Sequence, residues 1–470
     1  MSKNTKVSGG HLILKKKSTN KTKIVLWFFV LAVLGILTIA LIIQYEGERP
    51  VVEIDLPVRS IGLSTSMSGT VSDRKSGIKS IWIAISQAGA DHVLVDKTFH
   101  SNVLSRGDRT YESPVEFVIE PQRLGLIDGP VLLRIRVSDC SFRNWFSGNI
   151  TYIEKELLID TKPPEIDVLS KNHNLVRGGA GLAIYRVSEA GGPTGVHVGD
   201  DFYPGYTGYF KDPDIFLSFF ALNHKQGPGT NMYIEATDSA GNSARAGFVY
   251  YIGHKNYKDD KIPISDSFLN AKMPEFSVKG FAENEDNLAK FLKINGDIRR
   301  ENGETIMNPA TRTEKQVLWK DAFLRLPGSA TRANFADHRS YMYKGKKVDD
   351  QYHLGFDLAS IKQAPVPAAN SGKIALIDTI GIYGKTIVID HGFGLFSTYS
   401  HLSRVGVNEG ENVGKGDVIG NTGITGLTGG DHLHYGMFID HTFVDPLQWW
   451  DQSWIDNNIT SKLSDIKSGQ

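Results

Sequence analysis

Cysteine is nearly absent from this chain of 470 residues, and its basic and acidic residues cancel. The single cysteine, Cys140, excludes an internal disulfide and any zinc site built from several cysteine ligands. The 52 Lys and Arg residues equal the 52 Asp and Glu residues, so no overall positive charge favours nucleic acid as a partner, and we expect none. A hydrophobic fraction of 40% argues against wholesale disorder and is sufficient for several folded cores.

The charge balance hides a basic N-terminus that precedes a long uncharged stretch. Residues 1–23 contain seven lysines and no acid, which leaves 45 basic and 52 acidic residues, a formal charge of −7, for the remainder. Residues 24–43 carry no charge, and about 20 apolar residues span the hydrocarbon core of a bilayer. A cleaved signal peptide would have a shorter apolar region and a small-residue cleavage site. The sequence therefore predicts a cytoplasmic tail at 1–23 and a single transmembrane helix at 24–43, with residues 45–470 outside the cytoplasm.

The region that follows has the composition of β-structure. Val and Ile are concentrated in short segments that Gly, Asp, Ser and Asn separate, a pattern typical of strands joined by turns. The strands predicted in this way are Val51–Asp55, Ile78–Ser86, Val131–Val137 and Ile150–Ile159.

Two turn motifs in this region resemble each other. Asp139 with Asn144, and Asp238 with Asn242, each follow an alternating strand, as in the hairpin between the last two strands of a sandwich. A double-proline joint at 160–169 separates them, and the arrangement resembles tandem bacterial immunoglobulin-like domains. The resemblance implies spacers or binding modules whose protein partner the sequence does not name. It divides the region into a β-sandwich-like domain at 51–161 and an immunoglobulin-like domain at 162–253.

Residues 254–325 differ from the region before them. Apolar residues recur at helical spacing within Asp286–Arg300 and Glu314–Leu326, which predicts a short, partly helical connector. A lid over the following domain is the alternative. We place that domain at 326–450, followed by a polar tail at 451–470.

Histidines cluster in the following domain: seven of the fourteen lie between 338 and 441. His353 and Asp357 have the same parity, so both side chains would lie on one face of a strand, and His432 and His434 alternate around Leu433 in the same way. His401 is a third element between them. Two imidazoles and one carboxylate would leave the fourth position of a tetrahedral zinc site open, the pattern of a catalytic rather than a structural site. The chain lacks an H-E-x-x-H motif, so the general base must come from elsewhere, and a surplus histidine is the obvious choice.

These motifs resemble the lysostaphin/LytM-type zinc metallopeptidases that cut peptidoglycan peptides. The similarity runs through 334–360, 387–403, 413–436 and 443–446. It implies an antiparallel sheet with the site in a groove, zinc bound by His353, Asp357 and His434, and His401 and His432 flanking the attacking water. Two positions depart from the family pattern: Gly436 stands where Glu is frequent, and Ala336 where Gly is usual.

Other residues near the motifs have simpler interpretations. His391 is expected to be structural, and His338 and His441 to lie at the rim of the site. Arg339 would bind a substrate carboxylate or form an ordinary ion pair. Trp449 and Trp450 are expected to pack at the end of the domain.

Together these patterns predict a mainly β protein: a transmembrane helix, two β-sandwich-like domains, a short helical connector and a C-terminal antiparallel-β zinc peptidase domain. The predicted activity is that of a membrane-anchored zinc metalloendopeptidase that hydrolyses amide bonds in peptidoglycan stem peptides or cross-bridges. A catalytically silent scaffold or activator of another wall hydrolase is the alternative, and a peptidase for proteins is a second one. The predicted location is the inner membrane with periplasmic C-terminal domains, or the cell surface in a one-membrane cell.

Overall fold

The computed structural model describes residues 20–56, 60–99, 108–276 and 286–468, without the side chains of 20–22, 40, 41, 43 and 468. Most of the predicted cytoplasmic tail lies outside these residues. The chain divides into two compact units, residues 1–161 and 162–470. Strands predominate in both, which confirms the mainly β fold class.

The first unit begins with the helix α1, Asn20–Gln44, which contains the uncharged stretch. Large apolar side chains of this helix, among them Trp27 and Phe28, are exposed. Within the described part of the chain, no helix has both the length and the apolar character that a membrane crossing requires. The transmembrane helix predicted at 24–43 is therefore not supported by the structure.

The rest of the first unit is a β-sandwich. A three-stranded sheet in the order β1-β3-β6 and a five-stranded sheet in the order β2-β8-β7-β4-β5 enclose one apolar core. Along β6, exposed and buried residues alternate without exception, as expected for a strand with one face on a core. All four predicted strands are confirmed. The elements are β1 Val51–Ile54, β2 Ser60–Ile61, β3 Thr65–Ser72, β4 Ile78–Gln87, β5 Ala90–Thr98, β6 Glu112–Ile119, α2 Pro121–Leu124, β7 Gly129–Asp139, α3 Arg143–Phe146 and β8 Ile150–Ile159.

The two turn motifs differ in detail. Asp238 accepts hydrogen bonds from the backbone and side-chain amides of Asn242, as predicted. In the first motif, Asp139 pairs with Asn149 rather than with the predicted Asn144. The backbone nitrogen of Asn149 donates to Asp139 Oδ1 at 2.7 Å. The one-turn helix α3 lengthens this turn, so the bonding amide comes later in the sequence.

The second unit begins with a region of three small sheets. Their orders are β14-β11-β9, β13-β12-β15-β16 and the parallel pair β10-β17. Every residue of β14 is buried, because this strand packs between the sheets and the C-terminal domain. The strands are β9 Ile166–Val168, β10 His173–Val176, β11 Ala180–Val187, β12 Thr194–Val198, β13 Asp201–Pro204, β14 Ile215–Ala221, β15 Met232–Thr237, β16 Ser243–Ala246 and β17 Tyr250–Gly253.

The connector contains helices up to residue 312 and is irregular from there to residue 325. A π-helical turn at Ile294–Ile298 links two of its helices, which confirms the helix predicted at 286–300. The helix predicted at Glu314–Leu326 is wrong: the backbone N–H groups of Leu318 and Leu324 donate to the distant carbonyls of His391 and Ala369 instead of to the preceding turn. The elements are β18 Asp259–Ile264, α4 Asp266–Lys272, α5 Asn287–Lys293 and α6 Arg299–Met307.

The C-terminal domain is built on one large antiparallel sheet in the order β19-β22-β30-β26-β25-β24-β28, with β31 paired to β30. The central strands β26 and β30 are buried along their whole length because both faces of the sheet are covered. The strands are β19 Ala330–Ala333, β20 His338–Tyr343, β21 Lys346–Tyr352, β22 Phe356–Ala359, β23 Pro365–Pro367, β24 Gly372–Ile380, β25 Gly384–Gly392, β26 Leu395–Leu402, β27 Arg404–Val405, β28 Asn412–Val413, β29 Val418–Asn421, β30 Leu433–Ile439 and β31 Thr442–Val444.

Segments outside the predicted domain at 326–450 also belong to this structure. The connector strand β18 pairs in parallel with β20. The predicted polar tail forms helices, and its Ile455 and Ile459 are buried in the core that the whole second unit shares. Trp449 is also buried there, as expected. The C-terminal helices are α7 Pro446–Trp450, α8 Gln452–Ile455 and α9 Ser461–Ser468.

Candidate metal centre

Three side chains converge where β22 meets β30. The strand register places Asp357 directly opposite His434, and His353 lies in the loop before β22 rather than on the strand as predicted. Their atoms His353 Nε2, Asp357 Oδ1 and His434 Nδ1 are each 2.9 Å from the other two. Gly355 makes this approach possible, because a Cβ there would lie 2.7 Å from the His434 ring.

The bonding of the triangle suits a divalent cation. His353 Nδ1 lies 2.9 Å from the carbonyl oxygen of Asn334, which can only accept, so Nδ1 carries the proton and Nε2 presents a lone pair. The other imidazole, His434, has a buried Nε2 without a hydrogen-bond partner among the described residues. The three converging atoms therefore share at most one proton. Tetrahedral zinc bonds of about 2.0–2.1 Å set ligand atoms about 3.3 Å apart, so the triangle needs to open by only about 0.4 Å.

The electrostatics of the triangle give the protonation states that metal ligands require. Burial lowers the pKa of His353 and lowers that of His434 to about 4. Burial acts to raise the pKa of Asp357, but the neighbouring imidazoles of His353, His432 and His434 hold it well below its usual value. Both imidazoles are thus neutral and the carboxylate ionised near pH 7. Arg339 donates to Asp357 Oδ2 at 2.9 Å and therefore forms an ion pair inside the site. The other carboxylate oxygen, Oδ1, remains in the triangle.

His401 and His432 lie beside the triangle with their rings 4.8 Å apart. His401 Nδ1 donates to the carbonyl of Thr425 at 2.8 Å, and His432 Nδ1 donates to the carbonyl of Gly430 at 2.8 Å. In each ring the remaining nitrogen, Nε2, is the one that can exchange a proton, and that of His432 is 3.3 Å from Asp357 Oδ1. The backbone of His401 has a φ of 63°, a strained conformation of the kind that concentrates at functional sites. The five predicted site residues thus form one cluster.

The cluster opens into a cavity of about 280 Å³. Its far wall comes from the connector, through Ile264, Phe268, Phe291 and Arg299. Tyr383 also lines the cavity, with its ring 5.5 Å from that of His434. The sequence patterns identified none of these wall residues, because they belong to no motif and only the tertiary fold brings them to the histidines.

Of the remaining histidines, His391 has the expected structural role, whereas His338 and His441 do not line the cavity at whose rim they were expected. His391 is fully buried and its two nitrogens bond to Ser371 O and Ser397 Oγ. Outside the cavity, His338 bonds to Asp259 and Asp350, and His441 lies 3.4 Å from Asp201.

The two departures from the family pattern have structural consequences. A Cβ at Gly436 would lie 2.8 Å from Thr398 Oγ1, so glutamate does not fit there without movement of the Thr398 side chain. Ala336 has a φ of 60°, a conformation that costs alanine about 1 kcal/mol or more and glycine very little.

Comparison with known proteins gives the same assignment for the C-terminal segment. The model of peptidase family M23 matches residues 351–446. The DD-carboxypeptidase/endopeptidase Mpg of Neisseria meningitidis is 40% identical over 95 residues, which cover 20% of this chain and 22% of that protein. The peptidoglycan DD-endopeptidase ShyA of Vibrio cholerae is 34% identical over 87 residues, 18% of this chain and 20% of that protein. The chain thus spans only about a fifth of the length of these relatives.

Among solved structures, a putative M23 peptidase of Pseudomonas aeruginosa is 21% identical and covers 59% of this chain and 95% of its own, with a TM-score of 0.38. The resemblance identified from the motifs is confirmed by the family match. The C-terminal segment of this chain is a peptidase family M23 domain of the lysostaphin/LytM type.

Proposed function

We propose that the protein is a zinc metalloendopeptidase that hydrolyses amide bonds in peptidoglycan stem peptides or cross-bridges. The observation that carries the proposal is the convergence of three ligand atoms beside two further imidazoles in an M23 domain. Relatives of this domain named as peptidoglycan endopeptidases support the choice of substrate.

His353, Asp357 and His434 would hold the metal. Zinc bound there supplies a Lewis acid that activates water and polarises the amide carbonyl. Arg339 fixes the second oxygen of Asp357, so this carboxylate keeps one orientation.

His401 and His432 would move the protons. The Nδ1 proton of each ring is committed to a backbone carbonyl, so each Nε2 can accept a proton from the attacking water or donate one to the leaving amine. We assign the base to His401, because its burial lowers its pKa and keeps it neutral. His432 is assigned as the proton donor, because Asp357 raises its pKa against the opposing effect of burial.

We also propose that residues 24–43 anchor the chain in the inner membrane, with the peptidase domain in the periplasm. The absence of charge over twenty residues and the lysine-rich flank support this location. Anchoring would limit the distance over which the enzyme reaches the wall.

Digestion of purified peptidoglycan by the full chain tests the proposed function. We expect soluble wall fragments, in which the two products of each cut together weigh one water more than the cross-linked species, and no digestion of casein. The His434→Ala variant, which lacks one ligand atom, is the matched control and should release nothing. Wall left intact by the wild-type chain, with zinc bound, would contradict the proposal and favour the scaffold alternative.

A further inference from the structure

We infer that Arg299, which the connector contributes to the cavity, binds a carboxylate of the substrate peptide and thereby selects acidic stem peptides. This inference rests on the proposed function and names the chemical class of peptide that the site accepts. Arg299 begins α6 and lines the same cavity as the five site residues, although it is 54 positions before the first of them.

The guanidinium of Arg299 is held in place by a neutral partner. Its Nε donates to the backbone oxygen of Asn295 at 3.2 Å, and its Nη2 donates to Asn295 Oδ1 at 2.7 Å. Asn295 is fully buried in the π-helical turn and donates in turn to Asp349 Oδ2 on β21 at 2.6 Å. The side chain is therefore fixed before substrate arrives, so binding costs little side-chain entropy.

Among the described residues, no ion pair neutralises the charge of Arg299. Two of its five N–H groups bond to Asn295, and across the described ranges no carboxylate forms an ion pair with it. Its neighbour Arg300 differs in both respects, because it is exposed and paired with Glu304 at 2.7 Å. Arg299 is half-buried among apolar wall residues, and its remaining N–H groups are available to a ligand. A guanidinium in this setting is a site for a carboxylate, which it binds through paired hydrogen bonds.

Arg299 lies where a bound peptide would pass. Tyr383 connects it to the metal centre: its ring is 5.5 Å from that of His434, and it lines the same cavity as Arg299. Arg299 and Tyr383 also line a second cavity, of about 470 Å³, which includes Lys225. A peptide cut at the metal centre can therefore extend past Arg299 into this cavity, and its carboxylate would meet the guanidinium on the way.

The test compares two cross-linked stem-peptide dimers, one with free carboxylates and one with those carboxylates converted to carboxamides. A charge-assisted hydrogen bond contributes about 1.5–3 kcal/mol, so the zinc-loaded full chain should prefer the free acid by roughly 10- to 100-fold in kcat/KM. Arg299→Gln should abolish this preference, mainly through KM, while Arg300→Gln should retain it. Arg299→Lys, which keeps the charge without the fork, should retain part of it and serves as the test if Arg299→Gln does not fold.

The outcomes separate the two levels of the proposal. Cleavage of both dimers by Arg299→Gln with the wild-type preference would overturn the role of Arg299 and leave the proposed function standing. Failure of the wild-type chain to cleave either dimer or whole peptidoglycan would overturn both. A wild-type chain without preference for the free acid would also overturn the inference.

Discussion

Asp440 is a buried acid whose ionisation should weaken the second unit as the pH rises. It lies in the turn between β30 and β31, with a φ of 50° and 7% of its surface exposed. Tyr206 donates to its Oδ1 at 3.4 Å, whereas no partner of Oδ2 occurs in the described part of the chain. Burial raises the pKa of Asp440 to about 8, and the charge of Asp390 acts in the same direction. The folded protein thus keeps a proton that the unfolded chain releases near pH 4.

The sign and the size of the effect follow from this difference. Between pH 4 and 8 the unfolded chain binds fewer protons at this site than the folded one, so the free energy of unfolding falls as the pH rises. A group with a folded pKa of about 8 contributes a loss of roughly 2 kcal/mol between pH 6 and pH 8. Asn is nearly isosteric, does not ionise and tolerates the left-handed backbone, so Asp440→Asn should lack this loss.

Urea unfolding of the full chain at pH 6, 7 and 8, followed by tryptophan fluorescence, measures the effect. We expect the stability of Asp440→Asn relative to the wild type to rise by roughly 2 kcal/mol from pH 6 to pH 8. Asp378→Asn, at an exposed carboxylate on β24, controls for a general change of charge and should show a constant offset. A constant offset for Asp440→Asn as well would refute the reasoning.

Three further predictions concern the metal centre and its surroundings. At a zinc concentration 100 times Kd, zinc binding adds about 2.7 kcal/mol to the free energy of unfolding. In calorimetry this should raise the Tm of a unit of roughly 300 residues by about 4 °C, and His434→Ala should show no zinc-dependent shift. Ala336→Gly removes the backbone strain of an alanine in the left-handed conformation and should stabilise the protein by about 0.5–1 kcal/mol in urea unfolding. A loss of stability would show that Ala336 is not strained. His401→Asn, which also tolerates its backbone conformation, should lower kcat roughly 10²- to 10⁴-fold with zinc content unchanged; unaltered kcat would exclude His401 as the base.

The convergence of the five candidate site residues could be predicted from the sequence because these residues lie in short motifs. The alternation of His432 and His434 on one strand, and the spacing of His353 and Asp357, are local patterns that survive folding almost unchanged. The glycine between His353 and Asp357 is also visible in the sequence, as part of an H-x-G-x-D motif. Its lack of a side chain leaves room for the ring of His434. The strand assignment of His353 was wrong because residue spacing does not show where a strand begins.

Tertiary contacts determine the features that could not be predicted. The apolar spacing at Glu314–Leu326 resembles a helix, but hydrogen bonds to distant backbone carbonyls keep the segment irregular. Arg299 and Tyr383 have no motif, and tertiary contacts such as the pairing of β18 with β20 bring the connector against the cavity. In the same way, nothing in the sequence around Asp440 distinguishes it from an ordinary acidic turn.

The most direct test of the account is a metal titration of activity. The full chain would be stripped with a chelator, and peptidoglycan turnover would be measured while zinc is added back in known amounts. We predict no turnover in the stripped protein and a linear recovery that reaches its plateau at one zinc per chain. Full activity in the stripped protein, or a zinc-loaded protein that releases no muropeptides, would contradict a zinc-dependent wall endopeptidase.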